Sequence, residues 1–278
     1  MRLLVCVIVA GGVLSACGGG TSKAPPCPNP IPATSPRGAP VALYYVGDTP
    51  VGPRLYRSFD GNIDPSATSE GTLAVRDLLG SRAADPDYRS AWPAGWRQGA
   101  PVCHTAGLIT VDLVAPESDV VPDRVELARL ALQQLVYTVQ DALRSGDPVR
   151  LLINGAPAGQ LWGQPIGAPI QRADPLDTRA RVQIDSPGEN AMVNASSTQV
   201  VGEAATFEAN VQWQVLSGTT VVARGHTSAG QAMEFSPYTF AVPLPPGRYL
   251  LRVFEADESD GEGRPPFADT KTFTVRPR

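Results

Sequence analysis

The chain has 278 residues, of which 42% are hydrophobic and 18% charged, and its formal net charge is −4. This composition is typical of folded, soluble domains, and it excludes a largely disordered chain or one built mainly of membrane spans. Only two of the 23 basic residues are lysines and they form no basic cluster, which argues against nucleic acid as a partner.

The first 17 residues indicate export. Arg2 precedes an apolar run from Leu3 to Val13, which is too short to span a bilayer and is typical of a signal-peptide core. The run leads into Ser15-Ala16-Cys17, which resembles the bacterial lipobox, where the cysteine receives a diacylglycerol before cleavage. The resemblance implies a signal peptide over residues 1–16, lipid attachment at Cys17 and a place on the extracytoplasmic face of the cell membrane. The alternative is an ordinary signal peptide with an incidental cysteine.

The segment after the signal peptide predicts a tether. Residues 17–40 are rich in proline and glycine, which favours an extended, polyproline-like chain. Apart from Cys17, the cysteines that remain after cleavage are Cys27 and Cys103, and in an oxidising compartment a disulfide between them is the default expectation. It would attach the tether to the first domain. The alternative is a pair of free or reactive thiols, although neither lies in a redox or metal-binding motif.

A small α+β domain is predicted over residues 41–175. Its strongest helix is expected over residues 124–144, where apolar residues recur at spacings of three and four and Asp123 and Glu126 resemble a capping box. The other predicted elements are a helix over residues 70–80 and strands over residues 41–46, 55–59, 108–114 and 149–153.

The spacing of apolar residues changes from a helical period to a period of two residues in the second domain, which is predicted over residues 181–278. Phe207, Val211 and Trp213 occupy alternate positions that we expect to face a core. About seven short strands with no helical pattern predict an all-β sandwich of the immunoglobulin type. The segment has no cysteine pair, so its core is expected to depend on Trp213 and its neighbours.

Through short motifs, both domains resemble protein families that are known from spore-forming bacteria. The first domain resembles the GerMN domain of sporulation and spore germination proteins through residues 43–45, 73–80, 110–113, 134–138 and 149–155. The second resembles the immunoglobulin-like domain of bacterial spore germination proteins through residues 186–188, 202–204, 207–211 and 257–261. The resemblance implies a non-enzymatic envelope lipoprotein without a cofactor, of a kind that also occurs in actinobacteria, where such lipoproteins are partnered with sensor kinases.

An insertion between Ala84 and Pro101 departs from the GerMN pattern and carries Trp92 and Trp96, which are the candidate binding residues. Aromatic side chains exposed on a loop can bury in a protein partner or stack on sugars. On the alternative interpretation, the two tryptophans cap the core of the first domain.

Catalytic and metal-binding motifs are missing from the sequence. The only two histidines, His104 and His226, fall in different predicted domains, and neither lies in a nucleophile signature or provides enough ligands for zinc. The acidic residues of segment 257–262 depart from the EF-hand pattern and are expected to form a solvated turn. We therefore expect no reaction, no metal and no cofactor.

The sequence as a whole predicts a protein-interaction module held at the membrane by lipid, with a protein of the cell envelope as its partner. A second hypothesis is a lipoprotein that binds cell-wall glycan or peptide through Trp92 and Trp96. A third is a hydrolase of wall polymer, for which the chain offers no convincing residues. The identity of the partner and the oligomeric state are not predicted.

Overall fold

The computed structural model shows an α+β domain followed by an all-β sandwich, which confirms the predicted fold class. It describes residues 27, 41–59, 69–118, 120–194, 198–256 and 263–277.

The first domain packs two long helices against two sheets. The helices are α1 (Glu70–Gly80) and α2 (Val125–Leu143). The strands are β1 (Leu43–Thr49), β2 (Gly52–Ser58), β3 (Tyr88–Arg89), β4 (Arg97–Gln98), β5 (Cys103–Thr105), β6 (Leu108–Val114), β7 (Val149–Ile153), β8 (Ala156–Pro157), β9 (Gln160–Leu161) and β10 (Gln164–Pro165). One sheet has the order β2-β1-β3, and the other has β4-β6-β7-β8 with β5 beside β6; β9 and β10 form a separate hairpin.

Helix α2 organises this domain because it connects the parallel strands β6 and β7. Leu135, Val136 and Val139 lie in its buried face and contribute to the core. The predicted capping box is wrong, since the residue before the helix is Arg124, which makes no side-chain capping bond. Glu126 instead lies 3.7 Å from the guanidinium of Arg54 on β2.

The second domain is a sandwich of a three-stranded and a five-stranded sheet. Its strands are β11 (Val182–Ser186), β12 (Ala191–Asn194), β13 (Thr198–Ala204), β14 (Asn210–Ser217), β15 (Thr220–Ser228), β16 (Ser236–Val242), β17 (Gly247–Glu255) and β18 (Ala268–Arg276). The sheets have the orders β11-β13-β16 and β12-β18-β17-β14-β15, so that β15 is an edge strand.

The core of the sandwich follows the predicted alternation along β14, with one exception. Val211 is buried, and Trp213 is half-buried and stacks on Phe240 with ring centroids 4.6 Å apart. Phe207 is wrongly predicted to be core, because it begins a 3₁₀ turn (Phe207–Ala209) and is 58% exposed. Glu208, with φ 53°, and the alanine after it adopt left-handed backbone that breaks the strand periodicity there.

A short segment connects the two domains and is held by both. Helix α3 (Pro175–Thr178) begins at Asp174, whose side chain accepts the amide of Leu176. The amide of Ala180 then bonds the carbonyl of Leu55 on β2 at 2.9 Å. The two cores therefore adjoin along this segment.

Candidate functional site

Cys27 and Cys103 meet beside the C-terminal end of α2. In the structure, Cys27 and Cys103 form a disulfide, and Cys103 lies on β5. The neighbouring residue His104 points to Asp147, with 2.9 Å between Nε2 and Oδ2. The hydrogen bond from His104 lowers the pKa of the Asp147 carboxyl. His104 is thus engaged by a carboxylate, and the sulfur of Cys103 is engaged by Cys27.

The two candidate tryptophans belong to the core. Trp92 and Trp96 are each only 6% exposed, and both pack edge-on against Trp162, with ring centroids 5.1 and 5.3 Å away. The indole N–H of Trp92 donates to the carbonyl of Ala131 on α2 at 2.8 Å. The prediction of an exposed aromatic pair for binding is therefore wrong, because these rings fill the space between α2 and the β9–β10 hairpin. The alternative interpretation, in which they cap the core, describes them correctly.

The start of the same insertion forms a buried ionic cluster with the sandwich. The ammonium of Lys271 on β18 lies 2.6 Å from Asp85 Oδ2, 2.6 Å from the Tyr88 hydroxyl and 3.2 Å from Asp269 Oδ1. Tyr88 donates to Asp269, whose second oxygen accepts the amide of Ile184. All four side chains are buried, and two come from each domain.

The charges of this cluster depend on one another. Burial raises the pKa of Asp269, even though the positive charge of Lys271 stabilises its carboxylate and acts in the opposite direction. Burial also disfavours the Lys271 ammonium, but attraction by Asp269 and Asp85 outweighs this effect and raises the pKa of the lysine. Because removal of one partner would leave an uncompensated buried charge, the cluster ties the two domains together.

A second ionic cluster joins the domains at β2. Arg57 pairs with Asp185 and lies 2.8 Å from Glu203, which also accepts Arg179 at 2.6 Å. Burial raises the pKa of Asp185. Burial acts on Glu203 in the same direction, but the two arginines outweigh it, and the pKa of Glu203 is lowered.

Beside the Lys271 cluster, the junction opens into a polar cleft of about 400 Å³. Asp48, Asp87 and Arg89 line it on the side of the first domain, and Thr270 lines it on the side of the sandwich. Asp48 pairs with Arg89 at 2.8 Å, and Asp87 accepts the hydroxyl of Thr270 at 3.0 Å. The polar groups of the cleft therefore already have partners within the protein.

Exposed aliphatic side chains gather at the N-terminal end of α2. Val120 and Val121 are about half exposed and Val125 is 76% exposed. Val51, which is also exposed, lies in the β1–β2 turn. This turn lies at the first turn of α2, because a Cβ on Gly52 would be 3.4 Å from the carboxylate of Glu126. We call Val51, Val120, Val121 and Val125 the valine patch.

Several predicted features lie outside the described residues, namely the signal peptide, Cys17, the tether apart from Cys27 and the acidic segment 257–262. Among the residues that the structure does describe, no group of three or more His, Cys, Asp or Glu side chains could hold a metal ion. No helix in the described part of the chain is long and apolar enough to cross a membrane.

The charged junction was not predicted from the sequence, although one signal for it exists. Asp269 and Lys271 share the inward face of β18 with Phe273 and Val275. Charged residues at core positions of a strand are rare unless they are paired. The alternation alone could therefore have marked both residues as buried, but their partner Asp85 lies 186 positions from Lys271 and follows no local pattern.

Comparison with known proteins identifies a family for each of the two domains. The family model described as "Sporulation and spore germination" matches residues 42–159, and that described as "Immunoglobulin-like domain of bacterial spore germination" matches residues 181–262. No curated protein matches the chain.

Solved structures similar to the chain have low TM-scores. The tandem GerMN domains of the sporulation protein GerM from Bacillus subtilis are 16% identical over 73% of this chain and 61% of that chain, with a TM-score of 0.37. CopC from Methylosinus trichosporium OB3b is 24% identical over 35% of this chain and 95% of that chain, with a TM-score of 0.27. The two family models together show that the chain consists of a sporulation and spore germination (GerMN) domain followed by the immunoglobulin-like domain of bacterial spore germination.

Proposed function

We propose that this protein is a non-enzymatic, lipid-anchored protein of the cell envelope that acts as a protein-interaction module on the extracytoplasmic face of the membrane. The lipobox-like segment that ends at Cys17 supports the anchor. Both families are associated with sporulation and germination, which supports a role in envelope assemblies.

The observation that carries the interaction role is the valine patch. Apolar side chains exposed together on a folded domain mark surfaces that bind protein partners or membranes. The patch combines a loop, the first turn of α2 and the β1–β2 turn; helix α2 and strands β1 and β2 pack on a common buried core through Leu130, Val46 and Leu55. Such a pre-formed surface loses little conformational entropy when it binds.

The test is affinity capture of the intact protein from membranes after cross-linking. The double substitution Val121→Glu and Val125→Glu should abolish capture of the main partner, because it places charge in the patch. The matched control is Met192→Glu with Val201→Glu, at two exposed apolar positions of the sandwich, and it should capture normally. Equal capture by both variants would contradict the patch as the binding surface.

Cys17→Ala should remove the protein from the detergent phase, because the variant has no cysteine to which the lipid could be attached. Retention of the variant in the detergent phase would contradict the lipid anchor.

A further inference from the structure

The outer face of the five-stranded sheet carries arginines that form no ion pair with any other described residue. Arg224 on β15 and Arg252 on β17 lie on either side of Gln214 on β14, which pairs with both. Two strand spacings separate the arginines by about 10 Å. His226 lies two residues beyond Arg224 on the same face, and Arg248 extends the row along β17. We call Arg224, His226, Arg248 and Arg252 the arginine face.

The strand register shows which charges the described strands place on this face. Residues that alternate with the buried Val211, Val215, Leu251 and Val253 point outward, and within the described strands of this sheet none of them is acidic. None of the ion pairs among the described residues includes an arginine of this face. Asp87 of the first domain reaches only its margin, where it accepts the hydroxyl of Thr270. In a protein with net charge −4, the outward charges of the described strands of this sheet are thus all basic.

We propose that the arginine face binds an acidic surface of a partner protein. Guanidinium groups match carboxylates in paired geometry, and interfaces between proteins are enriched in arginine and aromatic side chains and depleted in lysine. The face fits this description, since Arg252 stacks on Phe254 at 4.8 Å and the half-buried Leu216 and Leu250 lie beside it.

The size of the face lies at the lower end of the range for protein interfaces, as in transient complexes. Five strands of up to nine residues give a surface of roughly 20 by 30 Å, on the order of 600 Å². A stable interface takes about 800 Å² from each partner. This proposal rests on the interaction role proposed above, but it concerns a surface on the other domain from the valine patch.

The probe is poly-L-glutamate immobilised on a sensor, with the full chain in neutral detergent as the analyte. The affinity of the double variant Arg224→Glu and Arg252→Glu for the probe should fall by about tenfold or more, because it reverses two charges at the centre of the face. The matched control is Arg97→Glu with Arg150→Glu, at exposed arginines of the first domain, and it should bind like the wild type. Binding should also weaken steeply between about 0.05 and 0.5 M NaCl.

Equal losses in both variants would overturn the proposal, because binding would then follow overall charge instead of this face. It would also be overturned if vesicles of phosphatidylglycerol bound the wild type more tightly than poly-L-glutamate does, with the same loss in the Arg224 and Arg252 variant, since the face would then suit a membrane. A face variant that no longer bound the probe but still captured its partner from membranes would overturn this proposal and leave the proposed function standing.

Discussion

Individual side chains in the sandwich were predictable where the period of two holds. The inward positions of Val211 and Trp213 follow from the alternation of the strand. The exposure of Phe207 does not, because the left-handed backbone of the two residues after it interrupts that alternation. The burial of Trp92 and Trp96 also could not be predicted from the residues around them in the sequence. It depends on contacts with α2 and Trp162, which are distant in sequence.

The Trp213 ring leaves no space for a side chain at Gly225. Gly225 pairs with Trp213 across β14 and β15, and a Cβ at this position would lie 2.5 Å from Cζ2 of the indole. We expect Gly225→Ala to lower the free energy of unfolding by about 1–3 kcal/mol, because the ring must leave its stack on Phe240. Urea denaturation of the full chain measures the change.

The control for this substitution is Gly80→Ala. A Cβ at Gly80 would meet no atom within 4 Å, and the residue ends helix α1. Since alanine favours a helix more than glycine does, Gly80→Ala should be neutral or stabilising by up to about 1 kcal/mol. Similar destabilisation by both substitutions would show that the Trp213 ring does not restrict position 225.

Long elements with a clear period were predicted closely, whereas very short ones were not. The structure has α2 at Val125–Leu143 and β7 at Val149–Ile153, within one residue of the predicted limits. Strands such as β3 (Tyr88–Arg89) contain two residues, which is too few to establish a period. They form only because longer strands beside them offer hydrogen bonds.

The disulfide between Cys27 of the tether and Cys103 on strand β5 is a prediction to be tested. Peptide mapping without reduction should recover Cys27 and Cys103 in one linked fragment. The cysteines are 76 residues apart, so the double substitution to serine should lower the free energy of unfolding by roughly 4 kcal/mol on the chain-entropy model. Reduced wild type serves as the control and should match the double variant. Free thiols at both positions in the native protein would contradict the pairing.

At the scale of the whole molecule, buried charges join the two domains. The Lys271 cluster and the Arg57 cluster both cross the junction, and each satisfies its carboxylates with partners from the other domain. The family resemblance predicted two domains in the right order. It could not predict how they are joined, because Asp85 and Tyr88 lie in the insertion that departs from the family pattern.

The junction predicts cooperative unfolding. The wild type should unfold in one transition, whereas Lys271→Met should lose about 3–5 kcal/mol and separate the transitions of the two domains, because Asp85 and Asp269 become unpaired buried charges. Differential scanning calorimetry measures both effects. Arg150→Met, at an exposed position, is the control and should leave one transition.

A variant that combines Lys271→Met with Asp85→Asn and Asp269→Asn removes the unpaired charges and should recover part of the loss. A single, unchanged transition in Lys271→Met would contradict the role of the cluster in joining the domains.

Helix α2 also separates the two ends of the first domain by a known length. It ends near Asp147, which bonds the residue next to Cys103, and it begins in the valine patch; its 19 residues span about 28 Å. With lipid on Cys17, the ten residues to Cys27 reach at most about 35 Å, so the cysteine end stays near the bilayer. If α2 stood along the membrane normal with its C-terminal end towards the bilayer, the valine patch would lie about 28 Å above that end. A membrane-bound partner would then need a folded part outside the bilayer, because short loops at the lipid surface would not reach that height.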